Sequence, residues 1–166
     1  EIDEETENGV ADAVAAAKHC DVIVFACGDN IWLAKEGIDR ADVRLPKAQR
    51  ELFKALRGAD KPIVTALICT KPLCVPKVDK HSAAVLTNFN GGMFGGLALA
   101  ETLFGDINPC GKLPISFPHH VGQQPTYYNQ LPGWHCRNYV DMPEKPLYPF
   151  GRGLSYTSFA FSDMQF

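Results

Sequence analysis

The chain has 166 residues, 46% of them hydrophobic and 21% charged, enough for one domain with a real apolar core. Its net charge of −3 provides no basic stripe for nucleic acid, and no apolar run approaches the roughly 20 residues that span a bilayer. The acidic start, Glu1-Ile2-Asp3-Glu4-Glu5, lacks the basic and apolar regions of a secretory signal and reads as a solvated loop, and with no initiator Met the chain reads as a cut from something longer.

Residues 8–18 place Val10, Ala13, Val14 and Ala17 on one helical stripe. Asp21 to Cys27 is a continuous β-branched and aromatic run ending at Gly28, which predicts a strand buried on both faces in a parallel sheet. Residues 28–45 are polar and irregular, and long ordered loops of this kind are usually functional. Pro46 opens the next helix, which buries Ala48, Leu52, Ala55 and Leu56 and ends at Gly58.

Pro62–Ile68 and Ala83–Phe89 predict a second and a third buried strand. A helix follows from Gly95 to Phe104, packed through Leu97, Ala100, Leu103 and Phe104 and closed by Gly105. Leu113–Pro118 predicts a short edge strand, because proline cannot donate to a ladder. From Pro118 to Phe150 the chain is rich in Pro, Gly, Tyr and Asn without periodicity, as in an extended arm over a surface. Tyr127-Tyr128-Asn129 would pin that arm by ring burial and an amide hydrogen bond, and Trp134, His135 and Tyr139 would pack along it. The alternation defines an α/β domain with a mostly parallel, doubly wound sheet sandwiched between helices and an extended C-terminal arm.

The six cysteines, Cys20, Cys27, Cys69, Cys74, Cys110 and Cys136, form no Cys-x-x-Cys pair and read as free thiols. Free thiols point to a cytoplasmic location, with secretion or the periplasm as the alternative. His119-His120 has no third ligand in view, and no metal or other cofactor is expected.

Open parallel sheets bind ligands beyond the carboxyl ends of their strands, where the connections 28–45, 69–76 and 88–94 lie. The first brings Asp29, Trp32, Glu36, Asp39 and Arg40 together. An indole stacks on a sugar face, while carboxylates and a guanidinium bind hydroxyls or protonate a leaving oxygen, so the mixture suits a carbohydrate. The glycine pairs at 91–92 and 95–96 lack the Gly-Lys-Ser/Thr of a phosphate loop and read as packing glycines.

At Glu36-Gly37-Ile38-Asp39-Arg40, with Leu45-Pro46 and Gln49, the sequence begins to resemble glycoside hydrolase family three. The likeness continues in order through Lys71-Pro72-Leu73, Gly92, Gly95-Gly96 and Ala100, then Leu103 to Pro118. It runs on through Gly122-Gln123, Pro125 and Tyr127-Tyr128-Asn129, and ends at Leu147-Tyr148-Pro149-Phe150-Gly151 and Gly153-Leu154-Ser155-Tyr156-Thr157. The resemblance implies that residues 1–166 are the latter part of that family's α/β sandwich domain, without its TIM-like barrel. It also implies a retaining hydrolysis of terminal β-D-glucosyl or β-D-xylosyl residues, with the nucleophilic Asp on an N-terminal barrel and the acid/base at Glu36. A fibronectin-like module usually follows the closing motif.

The chain departs from the family pattern at Cys69-Thr70-Lys71-Pro72, Met93-Phe94 and Arg152, which puts substrate preference in doubt more than fold. Glu36 has a rival reading as an ordinary surface carboxylate, with Asp29 as fallback acid. Asp39 and Arg40 either pair to fix the loop or contact the sugar. Trp32 either lines a subsite or caps a domain interface. A non-catalytic sugar-binding module on the same fold is the alternative function, and a flavodoxin-like nucleotide binder rests on fold analogy alone.

Overall fold

The computed structural model describes residues 7–30, 32–129 and 139–165. The readings of the acidic start, Trp134, His135 and Cys136 fall outside them. Seven elements carry the fold: α1 (Glu7–Ala17), β1 (Ile23–Gly28), α2 (Lys47–Leu56), β2 (Ile63–Ile68), α3 (Pro76–His81), β3 (Ala84–Thr87) and α4 (Gly95–Phe104). The strands form one parallel sheet in the order β1-β2-β3, with Ile23 beside Ile63 and Val64 beside Ala84. The α/β class and the parallel sheet are as the alternation predicts.

Most of the core lies on one sheet face, with Ala66 of β2 buried on the other. Ile23, Phe25 and Cys27 of β1 and Ile63 and Leu67 of β2 pack with Ala17, Phe53, Leu56 and Val78 from the helices. The Phe25 and Phe53 rings meet at 5.2 Å between centroids and join β1 to α2. The expectation that β1 is buried on both faces is corrected here. Its side chains alternate, and Val24 on the opposite face is 54% exposed. Apolar composition showed what the strand can bury, and the described residues supply a cover for one face of β1.

Other boundaries shift for local reasons. Pro46 is the N-cap of α2 rather than its first turn, and a short 3-10 turn over Arg57–Ala59 carries the chain past Gly58 to a left-handed Asp60. Helix α3 escaped the sequence reading because six residues with one buried side chain, Val78, show no periodicity. Gly105 does cap α4 in the left-handed conformation.

Leu113–Pro118 bends at Pro114 and Ile115 and joins no sheet. It pairs antiparallel with the closing motif: Phe117 and Tyr148 exchange both backbone hydrogen bonds, Leu113 N donates to Arg152 O, and Gly151 N donates to Leu113 O. Pro114 and Pro118 remove donors beside these points, so the contact stays a ribbon rather than a ladder. Phe117 is fully buried between Phe89 and Tyr148. Asn108 completes the join, its Oδ1 accepting from Ser155 Oγ and Tyr156 N, both at 2.9 Å. Gly153 must be glycine because a Cβ there would run into the Gly111 carbonyl.

The arm is held differently from the expectation. Tyr127 and Tyr128 are exposed, with Tyr128 stacked on Phe150 at 4.3 Å. The buried pin is Gln123, whose Nε2 faces the carbonyls of Pro143, Glu144 and Lys145 while its Oε1 accepts from His119 N. Tyr139 rests on the Gly122 carbonyl through its hydroxyl.

Candidate functional site

All three connections placed at the carboxyl edge of the sheet contribute to one open cleft of about 430 Å³. The loop after β1 supplies Asp29, Asn30, Ala34, Lys35 and Glu36, the loop after β2 supplies Thr70, and the loop after β3 supplies Asn90. Two backbone features open the way. Gly28, at φ +147, lies so close to β2 that a Cβ would collide with the Ile68 carbonyl, and its N–H donates to Gln49 Oε1 of α2 at 2.9 Å. Phe89, held left-handed at φ 49 in contact with Phe117, turns the chain so that Asn90 reaches the cleft.

Asp29 and Glu36 are the carboxylates lining this cleft, and their surroundings differ. The Asp29 side chain has no exposed surface. Its Oδ1 accepts from Thr70 N at 2.8 Å, and its Oδ2 accepts from Thr70 Oγ1 at 3.0 Å and Lys71 Nζ at 2.8 Å. Lys71 Nζ also donates to Thr70 Oγ1, closing a three-membered network. A carboxylate that already accepts three hydrogen bonds suits an anchor more than a proton donor. Glu36 is exposed and makes no hydrogen bond or ion pair among the described residues.

The other predicted site residues surround Glu36 unequally. Trp32 is 70% exposed, does not line the cleft, and has Lys35 Nζ at 5.4 Å from its ring centroid. The backbone of Trp32 is set by an Asn30 turn, in which Oδ1 accepts from the N–H groups of Trp32 and Leu33. Asp39 is exposed and does not pair with Arg40, which corrects the favoured structural pair. The Arg40 guanidinium turns instead to the Arg44 carbonyl at 3.2 Å, and its Nη1 is enclosed without a partner among the described residues. The ion pair that forms is two residues on, where Arg44 grips Asp42 through Nε and Nη2. Hydrogen bonds from Arg44 hold the Asp42 carboxyl well below the usual carboxylate range.

A second hollow of about 310 Å³ lies beside that pair, lined by Ala41, Asp42, Arg44, His120 and Val121. It collects no convergent donors, and His120 Nδ1 is occupied by Gly122 N. Among the described residues no group of three His, Cys, Asp or Glu side chains could hold a metal ion. Cys27, Cys69 and Cys74 are buried free thiols, whereas Cys20 and Cys110 are exposed. Burial pushes Cys27 up to about 12 and Cys69 and Cys74 up to about 11.

Sequence reasoning placed the connections that carry Lys35, Thr70, Lys71 and Asn90 at the site but gave none of these four residues a role in it. The usable signal was topological, since all four lie on the rim connections that leave the strand carboxyl ends.

A parallel α/β domain with a polar, carboxylate-bearing cleft at its strand ends is the class of protein these features define. The model described as the Glycosyl hydrolase family 3 C-terminal domain matches residues 1–156, and the chain belongs to that family. It is 43% identical over 165 residues to the periplasmic beta-glucosidase of Salmonella typhimurium, covering 93% of this chain and 22% of that protein. A beta-xylosidase of Formosa agariphila is 39% identical, with 97% and 23% covered. The solved β-glucosidase of Erythrobacter marinus superposes with a TM-score of 0.88 at 44% identity, covering 94% of this chain and 22% of its own. A Listeria innocua β-glucosidase in complex with glucose gives 0.85 at 36% identity, over 95% and 23%. The chain therefore spans a little over a fifth of the length of these relatives.

Proposed function

We propose that this chain is the acid/base-bearing part of a retaining β-glycosidase that removes terminal β-D-glucosyl or β-D-xylosyl residues from oligosaccharides. The observation that carries the reading is the contrast within the cleft: Asp29 is fully engaged, and Glu36 is the lining carboxylate left with its oxygens unclaimed. The names of the relatives support the substrate class.

In a retaining mechanism two carboxyls stand about 5–5.5 Å apart, one attacking the anomeric carbon and the other protonating the leaving oxygen and then activating water. Glu36 takes the second role. The first falls to an Asp on a TIM-like barrel preceding this domain in the parent protein. Docking against that barrel closes the cleft and sets the attacking carboxylate on the other side of the anomeric carbon from Glu36. Trp32 and Asp39, exposed beside Glu36, are the candidate sugar contacts, while Arg40 steadies the loop through the Arg44 carbonyl.

The test is Glu36→Gln in the intact parent protein. The kcat/KM for alkyl glycosides should fall by about 10²–10⁴-fold, with kcat/KM for aryl glycosides of very acidic phenols affected far less, because their leaving group departs without a proton. Undiminished activity on an alkyl glycoside would falsify the assignment and leave a non-catalytic carbohydrate-binding module as the reading.

For compartment, the thiol argument for the cytoplasm weakens, since three of the described cysteines are buried and shielded from oxidants whatever the surroundings. The Salmonella relative's name favours the periplasmic alternative, and no helix among the described residues is long and apolar enough to cross a membrane. Fractionation of source cells decides between them.

A further inference from the structure

The loop that carries Glu36 stands on two feet, both planted on the loop after β2. At the near foot, Asp29 binds Thr70 N, Thr70 Oγ1 and Lys71 Nζ, and its own N–H donates to Ile68 O at 3.1 Å. At the far foot, Cys74 N donates to Val43 O at 2.9 Å, and Arg44 bridges Cys74 in parallel register. Between the feet every hydrogen bond among the described residues is local to the loop: Asn30 with Trp32 and Leu33, Lys35 with Ile38, and Arg40 and Asp42 with Arg44. Glu36 stands near the crown of this arch. Its position is inherited from the feet, and the near foot, seven residues away in sequence, shares its cleft.

We infer that Asp29, with Thr70 and Lys71, is a positioning device for the acid/base, a role that rests on the Glu36 assignment above. The ground floor is rigid: Cys69, Leu73 and Val75 are buried in the core around Thr70 and Lys71. Asp29 transmits that rigidity to the arch through two oxygens that face three donors. An amide at position 29 keeps the shape but has one oxygen for those donors, and it turns an N–H₂ toward Thr70 N or Lys71 Nζ. A misplacement of about 1 Å in a reacting group can cost on the order of 10²-fold in rate. An acid moved in this way penalises substrates in proportion to their need for a proton.

The experiment compares Asp29→Asn, Thr70→Val and Thr70→Ser with Glu36→Gln in the intact parent enzyme, measuring kcat and KM over leaving groups from dinitrophenol to methanol. Asp29→Asn should lower kcat/KM for the alkyl glycoside by roughly 10–100-fold and leave kcat/KM for the dinitrophenyl substrate, whose departure needs no proton, within about threefold, so the leaving-group dependence of kcat/KM steepens. Thr70→Val should show a weaker steepening, and Thr70→Ser, which keeps the hydroxyl, should restore the wild-type slope. If Asp29→Asn folds poorly, the Thr70 pair alone carries the comparison. Equal losses on all leaving groups, or a lowered Tm with an unchanged slope, overturn the positioning role while Glu36 stands. A flat leaving-group response in Glu36→Gln itself overturns both.

Discussion

The loops after β1 and β2 leave the sheet by the same edge and meet opposite fates. The one after β2 turns inward at once, burying Cys69, Leu73, Cys74 and Val75 in the core. The one after β1 buries none of its described residues between Asn30 and Asp42 in the core, and exposes Trp32, Glu36, Ile38 and Asp39. One edge of the sheet thus provides both a foundation and a working surface, and the Asp29 network is where they are joined. Residues of the inner loop should govern stability and residues of the outer loop chemistry.

The largest expected effect breaks the foundation. Leu73→Ala should cost about 2–5 kcal/mol of stability, and Phe117→Ala about 3–5, because both vacate fully enclosed space. Trp32→Ala on the arch should stay within about 0.5 kcal/mol. Chemical denaturation of the intact parent protein measures all three, and comparable losses for Trp32 and Leu73 would abolish the distinction between the loops.

Thiol chemistry sharpens it next. With a labelling reagent at pH 8 and peptide mapping, Cys20 and Cys110 should react at least about 100-fold faster than Cys27, Cys69 and Cys74, whose burial withholds both access and thiolate. Fast labelling of Cys74 in native protein would mean that the far foot of the arch opens.

The smallest effect concerns the exposed Asp42–Arg44 pair beside that foot. Because the Asp42 carboxyl is held below its unfolded value, its contribution is complete above the ordinary Asp range and shrinks as pH falls below about 4. Asp42→Asn should therefore destabilise slightly at pH 7 and less at pH 3, where an undiminished difference would trace the effect to something other than ionisation. Solvent screening keeps it small.

Much of this arrangement was legible in the linear order of residues. The apolar runs at 21–27, 62–68 and 83–89 mark the three strands, and the topology of parallel sheets marks the edge where the cleft lies. Glu36 was singled out through its loop motif, and it lines the cleft. What escaped was long-range pairing. Asp29 meets its partners across 41 and 42 residues, and Phe117 meets Tyr148 far along the chain. Such contacts leave no periodic trace. Asp39 next to Arg40 suggested an ion pair by adjacency, yet consecutive side chains on an irregular loop diverge, and the pair that forms skips one residue at Asp42 and Arg44.

The grip of Gln123 on the carbonyls of Pro143, Glu144 and Lys145 has a consequence for how this domain can vary. One carboxamide acts as a buckle, fastening the outgoing and returning stretches of the arm at a single spot. A change at Gln123 therefore frees both stretches at once, whereas positions 143–145, which meet it only through backbone carbonyls, can change side chain without undoing the buckle beside the Phe117–Tyr148 ribbon.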